Sequence, residues 1–370
     1  MTPPELAADL AGARARIDEL DRELQQLIAE RARVALRIRE IKARSGDQSS
    51  ADHYRPAREA EVLRRAIERN REIKSPVADD VMARLMREIM SVCLALESPL
   101  KVAYLGPEGT YTQGAVYKHF GHAVDARPAA AIDEIFRDVE SGAATYGVVP
   151  IENSTEGVVS STLDLLALTP LNICGEVWLP VHHHLLSGGD AASIRRIYAH
   201  AQSFAQCRKW LDTKLPGAER VPVASNGLAA RMAAEEGAGR AAIAGQAAAE
   251  FYKLGIVFSN IEDDPNNTTR FLVIGRQNPE PTGRDSTSLM MSAHRNQSGA
   301  LFQLLEPFAQ AGISLTKIES RPSRREAWDY NFFVDLEGHQ ADARIRPALD
   351  TVRTRAAYFR ILGSYPRAVV

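Results

Sequence analysis

The chain has 370 residues, of which 45% are hydrophobic and 25% charged, and its formal net charge is −2. That length is too great for one ordinary core and predicts two or three domains, while the composition is that of a soluble globular protein. The balance of charge makes no electrostatic case for nucleic acid or an anionic membrane. No apolar run is long enough to span a bilayer, and the charged, helical start Met1–Leu20 does not read as a signal peptide, so a cytoplasmic protein is expected. Cys93, Cys174 and Cys207 are too widely spaced for a disulfide frame or a metal site.

In the first segment Ile17, Leu20, Leu24, Leu27, Val34, Ile38 and Ile41 follow alternating steps of three and four. This predicts one long helix with a coiled-coil-like seam. Arg31 interrupts the seam, and a guanidinium on a packed seam costs several kcal/mol unless it is paired with a carboxylate or a bound anion. Lys42 returns to the same face eleven residues on, roughly 16 Å along the axis, so the two cations can converge on a small dianion. Arg14 lies roughly 25 Å from Arg31, beyond the reach of one small ligand, and can join that site only from a second subunit of a two-fold dimer. Two more helices are expected over Arg55–Arg69 and Val77–Leu96, after a polar linker at Gly46–Asp52.

From residue 100 the pattern changes to apolar strands alternating with helices, which predicts an α/β unit with a mixed sheet. Strands are expected at 102–105, 146–151, 174–186, 196–199, 240–243 and 271–274. Helices are expected at 114–120, 131–142, 160–168, 204–214, 226–235 and 246–252. Two strand-to-helix turns carry polar clusters: Gly106-Pro107-Glu108-Gly109-Thr110, and Pro150-Ile151-Glu152-Asn153-Ser154-Thr155-Glu156-Gly157. Such turns offer backbone N–H groups and a helix dipole to an anion, and two of them can face each other across a sheet edge. A third stretch, Asn266-Asn267-Thr268-Thr269-Arg270-Phe271, runs into a strand. His182-His183-His184 alternates its side chains across an extended segment, which favours a structural role over a metal site.

After a linker at Pro279–Arg284, the last segment reads as strand, helix, strand, strand, helix, strand over 288–293, 299–310, 314–321, 330–336, 343–359 and 360–365. That βαββαβ order is ferredoxin-like.

These motifs carry resemblances. The three helices with Arg14, Arg31, Lys42, Arg58 and Glu59 resemble the all-helical class of chorismate mutase. Gly-Pro-Glu-Gly-Thr, Pro-Ile-Glu-Asn-Ser-Thr-Glu-Gly and Thr-Thr-Arg-Phe resemble prephenate dehydratase. Gly299-Ala300-Leu301 and Glu319-Ser320-Arg321-Pro322 resemble the ACT domain that accompanies it. The whole chain is thus similar to the bifunctional family, with a mutase at 1–98, a two-lobed dehydratase built like periplasmic binding proteins at 99–278, and a regulatory domain at 279–370.

The resemblance implies an intertwined homodimer or higher oligomer, no cofactor, chorismate and prephenate as substrates, and L-phenylalanine as feedback inhibitor. In the mutase, Arg14 would come across the interface, Arg31 and Lys42 would hold carboxylates and the ether oxygen, and Glu59 would accept a substrate hydroxyl. Three residues depart from the family pattern: Arg55 stands where some members have Asp, Cys93 where some have Ser, and Glu97 where many have a Gln that donates to the ether oxygen. A glutamate donates only when protonated, so the mutase rate is expected to fall as pH rises. In the dehydratase, Thr269 would supply or relay a proton. Thr110, Asn153, Ser154, Thr155 and Gln206 would line the cleft, Gln206 with the alternative of a helix cap. Arg270 would hold a carboxylate or make a structural salt bridge. Phenylalanine would bind at Gly299, Ala300, Leu301, Glu319, Ser320, Arg321 and Pro322. The competing reading is a non-catalytic amino-acid sensor, with a dehydratase carrying an inactive mutase as a variant.

Overall fold

The structure is a computed structural model that describes residues 3–45, 54–294, 298–323 and 330–369. The expected linker at 46–52 and the Lys42 side chain lie outside the described residues. Three modules follow one another: a helical one, an α/β one in two lobes, and an α+β one.

The helical module has α1 (Pro3–Ser45), α2 (Pro56–Glu72) and α3 (Asp79–Glu97). The three-and-four repeat is realised as one helix of 43 residues, roughly 64 Å long at 1.5 Å per residue. Helix α2 begins at Pro56, whose missing N–H is harmless in a first turn. Asn70 closes the turn to α3 by donating to Val77 O and Asp79 Oδ1, both at 2.9 Å. Helix α1 meets α3 near its C-terminal end, where Arg39 donates to the Leu96 carbonyl at 3.2 Å. Along the rest of α1, Leu20, Leu24, Leu27, Val34, Ile38 and Ile41 are exposed, so the seam has no cover within one chain.

The first lobe contains β1 (Lys101–Leu105), α4 (Tyr111–Phe120), β2 (Asp125–Ala129), α5 (Ile132–Ser141), β3 (Tyr146–Asn153), β4 (Gly157–Val158), α6 (Ser160–Leu166) and β5 (Asn172–Pro180). The second contains β6 (His184–Ser187), β7 (Arg196–His200), α7 (Ala201–Gln206), α8 (Arg208–Lys214), β8 (Glu219–Val223), α9 (Asn226–Glu236), β9 (Arg240–Ala244), α10 (Gln246–Tyr252) and β10 (Gly255–Phe258). The chain then returns to the first lobe as β11 (Thr268–Gly275), giving sheet orders β2-β1-β3-β11-β5 and β10-β6-β9-β7-β8. Two crossings, at 181–183 and 259–267, form the hinge. The single strand expected at 174–186 is therefore two strands in two sheets. The helix expected at 204–214 is likewise divided at Cys207.

The third module has β12 (Asp285–Ser292), α11 (Ala300–Gln310), β13 (Leu315–Pro322), β14 (Tyr330–Glu337), α12 (Arg346–Arg355) and β15 (Tyr358–Pro366). Its sheet order, β13-β14-β12-β15, is that of a ferredoxin-like fold. One face packs on α11 and α12 through Leu289, Met291, Phe308 and Val352. The other joins the first lobe through Met290, Phe333, Leu362 and Tyr365, in a core shared with Val149, Leu163 and Leu272. Gly363 lies against the backbone of Ile173, where a Cβ would collide with main-chain atoms.

Strand β11 sits at the centre of this arrangement, and alternation along it sets two faces. Phe271 and Val273 look toward the α4 side, while Leu272 and Ile274 look toward the third module. Arg270 shares the second direction. Its Nε donates to Glu176 Oε2 at 3.0 Å, its Nη1 to Asp335 Oδ2 at 2.5 Å and its Nη2 to the Tyr365 hydroxyl at 3.0 Å. Asp335 and Tyr365 each also meet Ser288 Oγ. The Arg270 side chain is 7% exposed, and the guanidinium is a buried tie between two domains. Arg270→Met strands two buried carboxylates. It is expected to lower stability by about 3–5 kcal/mol in thermal unfolding. Arg127→Met, at the exposed pair with Asp125, should cost less than about 1 kcal/mol.

Candidate active sites

Strand β3 pairs with β11 so that Thr269 lies opposite Asn153 and Arg270 opposite Glu152. The next pair is Phe271 with Pro150, which leaves Ile151 as the extra residue of a bulge. Asn153 Nδ2 donates to Thr269 Oγ1 and to Asn267 Oδ1, both at 2.8 Å. The amide orientation is fixed from its other end, because Asn153 Oδ1 accepts the N–H groups of Thr155 and Glu156 at 3.0 and 3.1 Å. Thr269 Oγ1 must then act as acceptor toward Asn153, which leaves its own hydrogen to be donated elsewhere.

This geometry corrects the expectation that the 152–156 turn offers free amides to an anion. The N–H groups of Thr155 and Glu156 go to Asn153, and that of Ser154 goes to the Thr268 carbonyl at 2.9 Å. Ser154 Oγ accepts from Thr268 N at 3.0 Å. The turn is a rigid cradle for Asn153 rather than an anion hole. Thr110 is likewise a cap: its hydroxyl donates to the Leu105 carbonyl at 3.0 Å and accepts from Gln113 N at 3.5 Å. The N–H of Gln113 in the first turn of α4 is thereby taken up by its own cap. Arg270 takes the second of its two expected roles, the structural salt bridge. As the neighbour of Thr269 in a strand it faces the opposite way, and all its recorded partners lie in the domain interface.

Gln206 is brought to the hinge. Its Oε1 meets His183 Nε2 at 2.7 Å, and His183 Nδ1 meets the Tyr111 hydroxyl at 2.8 Å. Tyr111 belongs to the first lobe and Gln206 to the second, so His183 joins them. Burial holds the His183 pKa below the ordinary imidazole value and keeps the ring neutral. His182 Nδ1 pairs with Glu262 at 2.8 Å, and His184 Nδ1 accepts from Asn260 N at 3.2 Å. The histidine run is thus a hinge element. Tyr111, Asn267 and Glu262 were not singled out from the sequence, although Asn267 lies within a quoted motif. The lobes also meet directly: a Cβ on Gly227 would strike the Glu108 carbonyl at 2.7 Å, and one on Gly245 would meet the Tyr111 ring at 2.9 Å.

In the helical module Arg14 is exposed and Arg31 half-buried, with no acid partner recorded for Arg31 among the described residues. Cys93 is 3% exposed, and Glu97 ends α3 beside the stretch of α1 that carries Arg39. Arg58 is turned to solvent and pairs with Glu61 at 2.6 Å. Glu59 does not look outward. Its carboxylate lies 3.8 Å from Arg87 Nε, among Tyr54, His119 and Cys174, where α2 and α3 dock on the α/β module. Burial, opposed by Arg87, raises its pKa to about 7. Burial and Arg87 lower that of His119 to about 3. Glu59, which the resemblance makes the acceptor of a substrate hydroxyl, thus lies at this interface facing Arg87, its side chain 16% exposed.

In the third module Gly299 has φ +80° and caps α11, a left-handed position that favours glycine. Glu319, Ser320, Arg321 and Pro322 end β13, the outer strand of its sheet. Arg321 is bound across the domain boundary, its Nη2 lying 3.0 and 3.1 Å from the two carboxylate oxygens of Asp164.

The fold and these sites define a class: a helical module of the mutase type, a hinged two-lobed α/β module, and a ferredoxin-like module locked to it. Family models agree. Chorismate mutase type II matches residues 13–98, prephenate dehydratase 102–279 and the ACT domain 287–354. The chain is 52% identical to a bifunctional chorismate mutase/prephenate dehydratase of Pseudomonas aeruginosa, covering 98% of each chain. It is 50% identical to that of Neisseria gonorrhoeae, covering 96% of each. Among solved structures, prephenate dehydratase of Arthrobacter aurescens in complex with L-Phe is 35% identical, with a TM-score of 0.67, covering 73% of this chain and 90% of that one. The chain belongs to the bifunctional chorismate mutase/prephenate dehydratase family.

The Glu59 carboxyl gives a pH prediction with a definite sign. Its folded-state pKa is raised, so the folded chain holds a proton that the unfolded chain releases, and stability falls as pH rises from about 4.5 through about 7. Thermal unfolding of the parent between pH 5 and 8 is expected to show that fall, and Glu59→Gln is expected to flatten it.

Proposed function

We propose that the two activities of this enzyme are carried by the α1–α3 contact and by the Thr269 cleft. Chorismate rearranges to prephenate without a nucleophile or a base, so the mutase needs only to hold the reactive conformer and to set cations by the ether oxygen. Arg31 and Lys42 of one chain, with Cys93 and Glu97 of α3, supply that grip, and Arg14 comes from a second copy whose α1 covers the open seam. The homodimer, in the cytoplasm, is part of this reading. Arg58 and Glu59, paired in one chain with Glu61 and Arg87, join the site by exchanging those partners for substrate.

In the cleft, prephenate loses its ring hydroxyl and its C1 carboxylate. The C–O bond breaks with a proton delivered through Thr269, so the hydroxyl leaves as water. The C1–carboxylate bond breaks to give carbon dioxide, and its electron pair completes the aromatic ring of phenylpyruvate. The observation that carries this is the fixed Asn153 amide, which leaves the Thr269 hydrogen available. Asn153 positions Thr269, the α4 first turn and Gln206 hold the substrate, and closure about the 181–183 hinge excludes water. L-Phenylalanine binds the 299–301 and 319–322 segments and inhibits the dehydratase. The dehydratase relative solved with L-Phe supports that ligand.

Purified protein given chorismate should form phenylpyruvate, followed by its absorbance, whereas a non-catalytic sensor forms none. Thr269→Val is expected to lower dehydratase kcat at least 100-fold and leave the mutase rate unchanged. Arg31→Ala should do the reverse, by about 100-fold or more. Full dehydration by Thr269→Val overturns the assignment.

A further inference from the structure

The outer strand of the third module carries two cations two strand periods apart, Lys317 and Arg321, and both cross to the first lobe. Lys317 Nζ lies 2.7 Å from Glu152 Oε2, with the lysine side chain 13% exposed. Arg321 Nη2 reaches both oxygens of Asp164 and its Nη1 reaches Ser160 Oγ at 3.0 Å, at the start of α6. Glu152 is the residue before Asn153. On the paired strand, Arg270 is opposite Glu152 and Thr269 opposite Asn153. One end of the β3–β11 ladder therefore presents Glu152 and Arg270 to the regulatory module, and Asn153 and Thr269 to the cleft. A cavity of ≈ 240 Å³ is lined by Glu152, Trp178, Arg270, Thr316 and Lys317 among others, so β13 and this plate border a common space.

We propose that Lys317 and Asp164 couple the regulatory module to the dehydratase. The Lys317–Glu152 and Arg321–Asp164 pairs transmit the state of β13 to the Asn153–Thr269 bond. This rests on the reading that phenylalanine binds the 319–322 strand end, and it assigns the route rather than the ligand. A shift of β13 draws Glu152, turns the bulged end of β3 and changes the Asn153–Thr269 distance. Arg270 meanwhile keeps the two domains in register, so the strand end moves and the interface does not slide. Because Glu152 is 36% exposed, water can solvate its carboxylate when the lysine is lost, and the variants should fold.

The test uses the full chain, with phenylalanine binding measured by calorimetry and dehydratase kcat and KM measured with and without saturating phenylalanine. Lys317→Met and the double variant Lys317→Met/Asp164→Asn are expected to bind phenylalanine within about threefold of the parent. They should lose most inhibition at saturation, by a factor of ten or more, as a coupling of ordinary size allows. Lys317→Arg should keep it. Basal dehydratase activity should stay within about threefold and mutase activity should not change. Full inhibition of the double variant with binding intact overturns the proposal. Binding lost together with inhibition also overturns it, since these residues would then belong to the ligand site. A parent that does not bind phenylalanine overturns the underlying reading, and this proposal with it.

Discussion

A guanidinium less than a tenth exposed has to be neutralised where it lies, and Arg270 is neutralised by two domains at once. Glu176 comes from the neighbouring strand β5, whereas Asp335 and Tyr365 come from the sheet of the third module. Desolvating such a cluster costs several kcal/mol per ion, so it is tolerated only when every donor and acceptor is matched. That matching fixes how the third module sits on the first lobe to within a hydrogen bond. The shared apolar core around Phe333, Leu362 and Tyr365 supplies adhesion, but apolar contact is non-directional. The ion cluster supplies register.

The same strand explains why binding and regulation are close neighbours here without sharing residues. Alternation puts Thr269 and Arg270 on opposite faces, so a strand 8 residues long serves the cleft on one side and the domain joint on the other. The bulge at Ile151 sits where β3 would otherwise continue flat, and bulges re-aim the residues that follow them. Asn153 is then held by main-chain donors of its own turn. The Thr269 hydroxyl is thus met by an amide that is itself engaged at both ends.

Much of this was legible in the sequence. The strand-to-helix alternation, the βαββαβ order and the three motifs predicted the modules and their sequence, and the seam of α1 was readable from its spacing. Four strands of the α/β module went unread, β2, β4, β8 and β10; β2 with Pro128 and β8 with Pro222 are outer strands of their sheets, where proline is tolerated and the apolar signal is weak. The 174–186 run read as one strand because apolar residues continue across the hinge, and nothing local marks a change of sheet. The role of Arg270 was half legible, since strand alternation already forbids it from serving the same face as Thr269. Its partner Asp335 was not, being 65 residues away in another domain. The surroundings of Glu59 were illegible for a similar reason: Tyr54, His119 and Cys174 belong to an interface that no periodicity in α2 announces.

The two candidate sites differ in how much of themselves one chain supplies. The cleft is built within a single α/β module, with its hinge, lobes and Thr269 all present and already joined through Tyr111, His183 and Gln206. The helical module is not self-sufficient. One face of α2 and α3 is docked on the α/β module, with Tyr54 buried against Phe120 and Tyr146, while α1 runs out with a row of leucines and isoleucines in solvent. Each such side chain is worth about 1.5–3 kcal/mol when fully buried. That stripe, at coiled-coil spacing, is apolar surface left uncovered by the described residues of one chain. Arg31 stands within it without an acid partner among the described residues, which suits a cation reserved for an anionic ligand. The α/β module and the module that carries α1 are joined where α2 and α3 dock, through Tyr54 packed on Phe120 and Tyr146.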